Sequence, residues 1–196
     1  LNPQYIKVHE IKKMGRAAVD SNEIFIENLE ISERDRIGDE HNGFRYLIDS
    51  LNPERILIAA EAVGLGKDAL KRALKYAKER IVFDRPIGQN QSVQHPLAKN
   101  WIELEAADLL VAKAAYQYDN GMPSGAMANA AKYFAAEAGF RAAADAVSTL
   151  GGMGYAKEFH VERLLRESLI PKLAPVSAQM ILNYISEKVL GLPKSY

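Results

Sequence analysis

The sequence predicts a mainly α-helical protein, an up-and-down helical bundle preceded by a short β segment. Apolar residues recur every three or four positions through most of the chain, which is typical of helices. Glycine- and proline-containing stretches separate these periodic segments. Only the N-terminal part is rich in β-branched and aromatic residues near alternation. With 196 residues, 48% of them hydrophobic, the chain can bury one main domain plus a short appendage.

The β segment is predicted between Tyr5 and Ile31. Ile6 and Val8 stand near period two, and Ala18-Val19 and Ile24-Phe25-Ile26 have strand-like composition. So few strands do not close a core of their own. We therefore expect this segment either to lie on another part of the protein or to be the end of a domain whose earlier part precedes it.

The bundle is predicted to begin with a short helix near Phe44, followed by a separate and much longer one. Asn52 is suited to be the N-cap of the long helix, Pro53 its first residue, and Glu54 an acid in its first turn. Apolar residues then recur at three and four positions as far as Arg80. Because this helix is apolar around much of its girth, we expect it in the centre of the bundle.

Further helices follow from the same periodicity and its separators. The loop 121–125 and the glycine-rich turn Gly151–Gly154 mark two boundaries, the second where a helix stops. The predicted helices are 94–118, 126–150, a short one at 159–167, and 172–190.

Composition narrows the class of function. Lys and Arg number 25 and Asp and Glu number 25, so no broad basic field is available for nucleic acid or an anionic membrane. The absence of cysteine excludes disulfides and thiolate metal sites. No apolar run is long enough to span a bilayer. We expect a soluble protein of the cytoplasm, or of the mitochondrial matrix in a eukaryote.

Familiar catalytic motifs are missing. His9, His41, His95 and His160 have no metal-ligand spacing, so no metal site is predicted. The sequence contains no P-loop, no G-x-S-x-G and no G-x-G-x-x-G, which removes the usual signs of kinases, hydrolases and Rossmann enzymes.

Two local features are suited to an anionic ligand, although neither is specific alone. Arg80 stands at the end of the long helix beside a tight loop, where a guanidinium suits a phosphate but also simply stabilises the helix dipole. The Gly151–Gly154 turn would let a ligand approach backbone amides, but such turns also merely end helices.

Five segments taken together carry a stronger signal through their order and spacing. They cover essentially the whole chain, and in that order they resemble the acyl-CoA dehydrogenase family. The resemblance implies that residues 1–38 are the tail of its middle β domain and residues 39–196 its C-terminal helical domain. The segments are Lys13-Met14-Gly15, Pro53-Glu54-Arg55, Glu79-Arg80 through Gln91, Leu150 through Tyr155, and Val161 through Glu167.

The resemblance implies FAD bound at a subunit interface, an acyl-CoA substrate, a dimer or dimer of dimers, and an electron-transfer flavoprotein as partner. Asp84, where the family usually has Gly, and Ser148, where it often has Gln, depart from the pattern. Asn52 and Arg55 match positions near the acyl-CoA. The positions that match FAD contacts are Arg80, Ile81, Val82, Phe83 and Gln91, then Ser148 and Gly152, then Ser177 and Gln179.

The family reaction needs a carboxylate that removes the α-proton while the β-hydrogen leaves as hydride to the flavin. Many members supply it from a Glu-Gly-Thr segment, whose place is taken here by Ala174-Pro175-Val176, and Pro175 is no base. Other members place the Glu before an Arg on the long helix, and Glu54-Arg55 fits that pattern. We predict Glu54 as the base, although a first-turn acid also stabilises the helix dipole.

Glu61 is the rival candidate. It lies seven residues further along, on the same stripe and in an apolar run, where burial would raise the pKa of a carboxyl. Pairing with a cation such as Lys67, or exposure to solvent, are the alternatives for it.

Two other readings of the whole protein stay open. The vacant base position at Pro175 favours a non-catalytic helical interaction or assembly module. An acyl-CoA oxidase-like flavoenzyme differs in its reaction with oxygen, which no residue indicates. We expect the chain by itself to be inactive and to bind FAD weakly.

Overall fold

The computed structural model describes residues 2–195, and the chain divides between Asp49 and Ser50 into two compact units. Helices dominate, as predicted, after a short β segment. The strands are β1 (Ile6–Glu10), β2 (Asn22–Ile26), β3 (Ile81–Val82) and β4 (Arg85–Pro86). The α-helices are α1 (Gly43–Glu79), α2 (Gln91–Asp119), α3 (Gly125–Leu150), α4 (Gly152–Tyr155), α5 (Val161–Glu167), α6 (Ile170–Leu173) and α7 (Ala178–Tyr184).

In the first unit, β1 and β2 form an antiparallel pair in which Ile6 faces Ile26 and Val8 faces Ile24. Alternation places these four apolar side chains on one side of the pair. Three of them remain exposed: Val8, Ile24 and Ile26. The predicted strand at Ala18-Val19 is wrong, because these residues belong to the turn and connection between β1 and β2.

Helix α1 is continuous through Pro53, so the prediction of two helices, with Asn52 as an N-cap, is wrong. Proline lacks the N–H that would bond to the carbonyl of Asp49, four residues earlier. The helix continues nevertheless, and the division between the two units falls directly after Asp49. The predicted end of α1 near Arg80 is correct to one residue.

A two-residue turn joins β3 to β4 directly after α1. Phe83 and Asp84 form this turn, with φ of 52° and 61°. Positive φ at both central residues is the geometry that tight hairpins favour. Asp tolerates this conformation better than most residues, which explains why the turn forms without glycine at position 84.

The three long helices run up, down and up. Leu97 of α2 lies beside Ala77, near the end of α1, whereas Leu104 packs on Gly66, nearer the middle. Helix α2 is therefore antiparallel to α1. Gly139 of α3 packs on Ala62 of α1, and the end of α3 at Leu150 lies near Tyr76, so α3 runs parallel to α1.

Small residues set the closeness of α1 and α3. A Cβ on Gly139 would lie 2.4 Å from the carbonyl oxygen of Ala62, and one on Gly66 would lie 2.9 Å from the Cα of Gly139. The backbones thus touch where they cross, with no room for a side chain. The buried face of α3 is correspondingly rich in alanine, including Ala128, Ala131, Ala135, Ala138, Ala142, Ala143 and Ala146.

The predicted helix 172–190 is wrong as one element. Helix α6 ends at Leu173, Ala174 is extended, and α7 begins only at Ala178, before a π-helical turn over Ile185–Val189. Pro175 explains the interruption, because proline in a helix interior removes a hydrogen bond and clashes with the preceding turn. The other predictions agree within a few residues with α2, α3 and α5.

No helix within residues 2–195 combines the length and apolar character needed to cross a bilayer.

Candidate functional site

The predicted site residues lie at two ends of the bundle, both within the second unit. The Arg55 end comprises Asn52, Glu54 and Arg55 of α1, the first residues of α3, and the chain from Lys172 to Tyr184. The Arg80 end comprises Arg80 to Phe83, Gln91, Ser148 and Gly152. Arg55 and the last residue of α1, Glu79, are separated by roughly 36 Å of helix.

At the Arg55 end, three helices converge on Gly125. A Cβ on this residue would lie 3.0 Å from the Tyr184 hydroxyl and 3.9 Å from Asn52 Oδ1. Glycine therefore allows α1 and α7 to approach the start of α3. The structure thus brings Asn52, on α1, next to α7, the helix that carries Gln179.

Arg55 is half-buried and only partly satisfied. Its Nη1 donates to Asn52 Oδ1 at 3.0 Å, whereas its Nε is buried without a hydrogen-bond partner among the described residues. Burial lowers the pKa of the guanidinium, and nearby Tyr184 and Glu54 act in the opposite direction. A half-buried cation with an unused donor is suited to hold a polar group of a ligand.

The two candidate bases differ in their surroundings. Glu54 is exposed and lies close enough to Arg55 for their charges to interact. Glu61 is half-buried two turns further along α1. Lys67, suggested as its partner, donates to Asp108 at 2.6 Å and forms an ion pair with Glu105 at 3.3 Å.

The segment between α6 and α7 carries Ser177 and Gln179. Ser177 is the N-cap of α7, and its Oγ accepts from the Met180 N–H at 3.4 Å. Gln179 is exposed on the first turn of α7. One lone pair of Ser177 therefore serves the helix, and the hydroxyl proton stays available to a ligand.

The buried side chain of Lys132 holds this segment by hydrogen bonds, and Lys132 is not among the site residues predicted from the sequence. Its side chain is 1% exposed, and its Nζ donates to the carbonyl of Val176 at 2.5 Å and to that of Lys172 at 3.4 Å. The signal was available, because Lys132 stands four residues after Ala128 and three before Ala135, on the buried stripe of α3. Tyr184 was missed as well, and no motif distinguishes it.

The Arg80 end is open to solvent. Arg80 is exposed, and its guanidinium forms no ion pair with the residues that the structure describes. The Ile87 N–H donates to the Arg80 carbonyl at 2.9 Å, which holds the β3–β4 hairpin beside the start of α2. Gln91 is the first residue of α2, where unpaired N–H groups and the helix dipole favour an anion.

Aromatic and apolar side chains accompany this cation. Phe83 is 94% exposed at the tip of the hairpin, and Ile81 and Val82 are exposed beside it. A large apolar side chain with almost no protein contact is a frequent sign of a binding surface.

Ser148 and Gly152 form the remaining part of the Arg80 end, and both are exposed. Gly151, between them, adopts φ 61° and ψ −132°, which only glycine tolerates readily. The turn ends α3 as predicted. The end of α3 lies near the end of α1, where Tyr76 and Glu79 line the same cavity as Leu150.

The described residues contain no group of three or more His, Cys, Asp or Glu side chains arranged to hold a metal ion.

Comparison with known proteins identifies the family of the chain. The profile of the family described as "Acyl-CoA dehydrogenase, C-terminal domain" matches residues 41–190. The acyl-CoA dehydrogenase FadE12 of Mycobacterium tuberculosis is 43% identical over 176 residues, which are 89% of this chain and 45% of the relative. The chain thus spans about half the length of the curated relatives that it matches.

Solved structures share the fold. The glutaryl-coenzyme A dehydrogenase in complex with glutaryl-CoA superposes with a TM-score of 0.92 at 34% identity, covering 97% of this chain and 48% of that one. The FAD complex of PigA gives a TM-score of 0.91 at 27% identity, covering 98% of this chain and 50% of that one. The chain therefore belongs to the acyl-CoA dehydrogenase family, and its bundle corresponds to the C-terminal helical domain of that family.

Proposed function

We propose that the protein containing this chain is an FAD-dependent acyl-CoA dehydrogenase that removes the α-proton and β-hydrogen of an acyl-CoA thioester. Family membership is the observation that carries the proposal. The convergence of Asn52, Glu54 and Arg55 with the α6–α7 segment supports it, because this arrangement joins a carboxylate, a partly satisfied cation and a hydroxyl at one end of the bundle.

The chemistry of the Arg80 end fits FAD. The exposed guanidinium of Arg80, which forms no ion pair among the described residues, suits the pyrophosphate, and the exposed ring of Phe83 suits a planar group. We expect Arg80, Ile81, Val82, Phe83, Gln91, Ser148 and Gly152 to hold the adenosine diphosphate part. Ser177 and Gln179 would bind the flavin ring, which accepts the hydride when FAD is bound.

Glu54 is the proposed base. Its carboxylate is exposed and can meet a thioester, and it lies next to Arg55 at the start of the second unit. Asn52 and Arg55 would orient the thioester, with the guanidinium of Arg55 as a hydrogen-bond donor. Closure of the site by substrate and by the rest of the protein would exclude water and strengthen the base.

The separation of the two ends supports a role for a second copy of the chain. Roughly 36 Å of helix lies between Arg55 and the end of α1, which exceeds the length of one FAD molecule. The Ser177 patch and the Arg80 patch of one chain would therefore contact two different FAD molecules. A dimer or dimer of dimers satisfies this requirement, with an electron-transfer flavoprotein as the proposed acceptor of electrons.

An anaerobic absorbance spectrum of the intact protein tests the proposal, recorded before and after addition of a panel of acyl-CoAs. We expect a yellow protein whose flavin band bleaches with one class of acyl chain. A protein that is colourless and takes up no FAD would contradict the proposal. It would favour the non-catalytic assembly module, which Pro175 at the usual position of the base also supports.

A further inference from the structure

Lys132 occupies an unusual environment for a lysine. It lies in the alanine-rich core face of α3, its side chain is 1% exposed, and its direct partners are the carbonyl oxygens of Val176 and Lys172. These two carbonyls lie on either side of Pro175: Lys172 belongs to the last turn of α6, whereas Val176 lies in the stretch between α6 and α7. The ammonium thus ties an irregular segment to a rigid helix.

The charges around Lys132 do not explain its burial. Burial and the nearby cation Arg55 of α1 lower the pKa of Lys132 to about 8, while Glu137 on α3 opposes this shift. The Glu137 carboxylate accepts from Lys172 of α6 at 3.1 Å, so it is already engaged by another cation. An apolar residue of similar volume would avoid the cost of a buried charge. Stability alone therefore does not account for a lysine here.

Lys132 fixes the position of the chain between α6 and α7. Pro175 has no backbone N–H with which to anchor this stretch. Val176 directly precedes Ser177, whose hydroxyl caps α7. Lys132 supplies donors to the Val176 carbonyl, outside regular helix, and to the Lys172 carbonyl in the last turn of α6, where carbonyls have no intrahelical partner. The hydrogen bond from Lys132 to the Val176 carbonyl thus holds the chain at the residue directly before Ser177.

We propose that Lys132 is a positioning residue, which fixes the Lys172–Val176 segment on α3 and thereby sets the placement of Ser177 and Gln179 against the flavin. The inference rests on the proposed function for its consequence, namely flavin contact. The claim that Lys132 ties the Lys172–Val176 segment to α3 rests on the two hydrogen bonds alone.

The experiment compares Lys132→Met with wild type in the intact protein, by hydrogen exchange with peptide resolution and by the affinity and visible circular dichroism of bound FAD. We expect amides of residues 176–182 to exchange at least ~10-fold faster in Lys132→Met, while the centres of α1 and α2 keep their protection. FAD affinity should fall, and the circular dichroism of the flavin band should change. Lys113→Met, at an exposed position of α2, serves as the matched control and should change none of these.

Two results would overturn the proposal. Unchanged exchange in residues 176–182 would show that the link does not hold the segment, and loss of protection throughout the bundle would show that Lys132 is a general core residue. If wild type binds no FAD, the proposed function fails, while the exchange data still decide the role of Lys132. Lys132→Arg, which keeps a cation with several donors, should restore part of the protection.

Discussion

The Arg55 end and the Arg80 end of the bundle differ in how their charged groups are held. At the Arg55 end, Arg55 is half-buried and donates a hydrogen bond to Asn52, and Lys132 is buried and donates to two backbone carbonyls. At the Arg80 end, the guanidinium of Arg80 is exposed, with no ion pair among the described residues, and the Phe83 ring projects into solvent. Contacts within the chain therefore hold the groups of the first end, whereas the groups of the second end are open to solvent.

The difference indicates separate roles. Groups that are fixed by buried hydrogen bonds are suited to chemistry that requires constant geometry. Exposed cations at a helix start are suited to holding an anion. Substitutions at the Arg55 end should therefore alter stability and reactivity together, while those at the Arg80 end should alter binding alone.

The largest expected effect on stability comes from the close contact between α1 and α3. Gly139→Ala places a methyl group 2.4 Å from the carbonyl oxygen of Ala62, so the α1 and α3 backbones must move apart. We expect a loss of about 3 kcal/mol in the free energy of unfolding, measured with urea.

Gly64→Ala is the matched control on α1, since a Cβ there meets nothing within 4 Å. It should stabilise the protein by about 1 kcal/mol, because alanine favours helix over glycine. Equal effects of the two substitutions would contradict the close approach at Gly139.

The next effect concerns Lys132 and pH. Its pKa is lowered to about 8 in the folded protein, from an ordinary value of 10.5. Between these values the unfolded chain binds more protons than the folded one, so the free energy of unfolding rises with pH. Relative to Lys132→Met, wild type should gain roughly 1.5 kcal/mol between pH 8 and 9.5. A flat difference across this range would show that the pKa of Lys132 is not lowered.

The smallest effect on stability is expected at the Arg80 end. Arg80→Ala should change the free energy of unfolding by less than ~0.5 kcal/mol, because the side chain is exposed and forms no ion pair with the residues from 2 to 195. In the intact protein the same substitution should weaken FAD binding by about 10- to 100-fold, the value of a hydrogen bond to a charged group. Lys78→Ala, an exposed cation of the last turn of α1, should leave FAD binding unchanged.

The sequence predicted the bundle well where local signals agree with packing. Helices α2 and α3 appeared within a few residues, since their apolar periodicity is uninterrupted and loops bound them. The family motifs indicated the site residues, but no periodicity could show that they separate into two ends. That separation follows from the length of α1 and the parallel course of α3.

Two of the wrong predictions concern prolines, and one buried lysine is not predicted at all. The sequence predicts that a helix starts at Pro53, whereas α1 runs through it, and it predicts a helix through Pro175, which interrupts the chain between α6 and α7. Whether a helix runs through a proline or stops at it depends on tertiary packing, which local helix propensity does not report. Lys132 lies on a stripe of alanines, and its partners 40 and 44 residues away are visible only in the folded chain.

The most direct test of the central claim is the rate of flavin reduction by an acyl-CoA in the intact protein, measured by anaerobic rapid mixing for wild type, Glu54→Gln and Glu61→Gln. If Glu54 is the base, its substitution should slow reduction by about 10²- to 10⁴-fold, whereas Glu61→Gln should stay close to wild type. Flavin reduction in Glu54→Gln at the wild-type rate would contradict the account. A large loss of the reduction rate in Glu61→Gln alone would assign the role of base to Glu61.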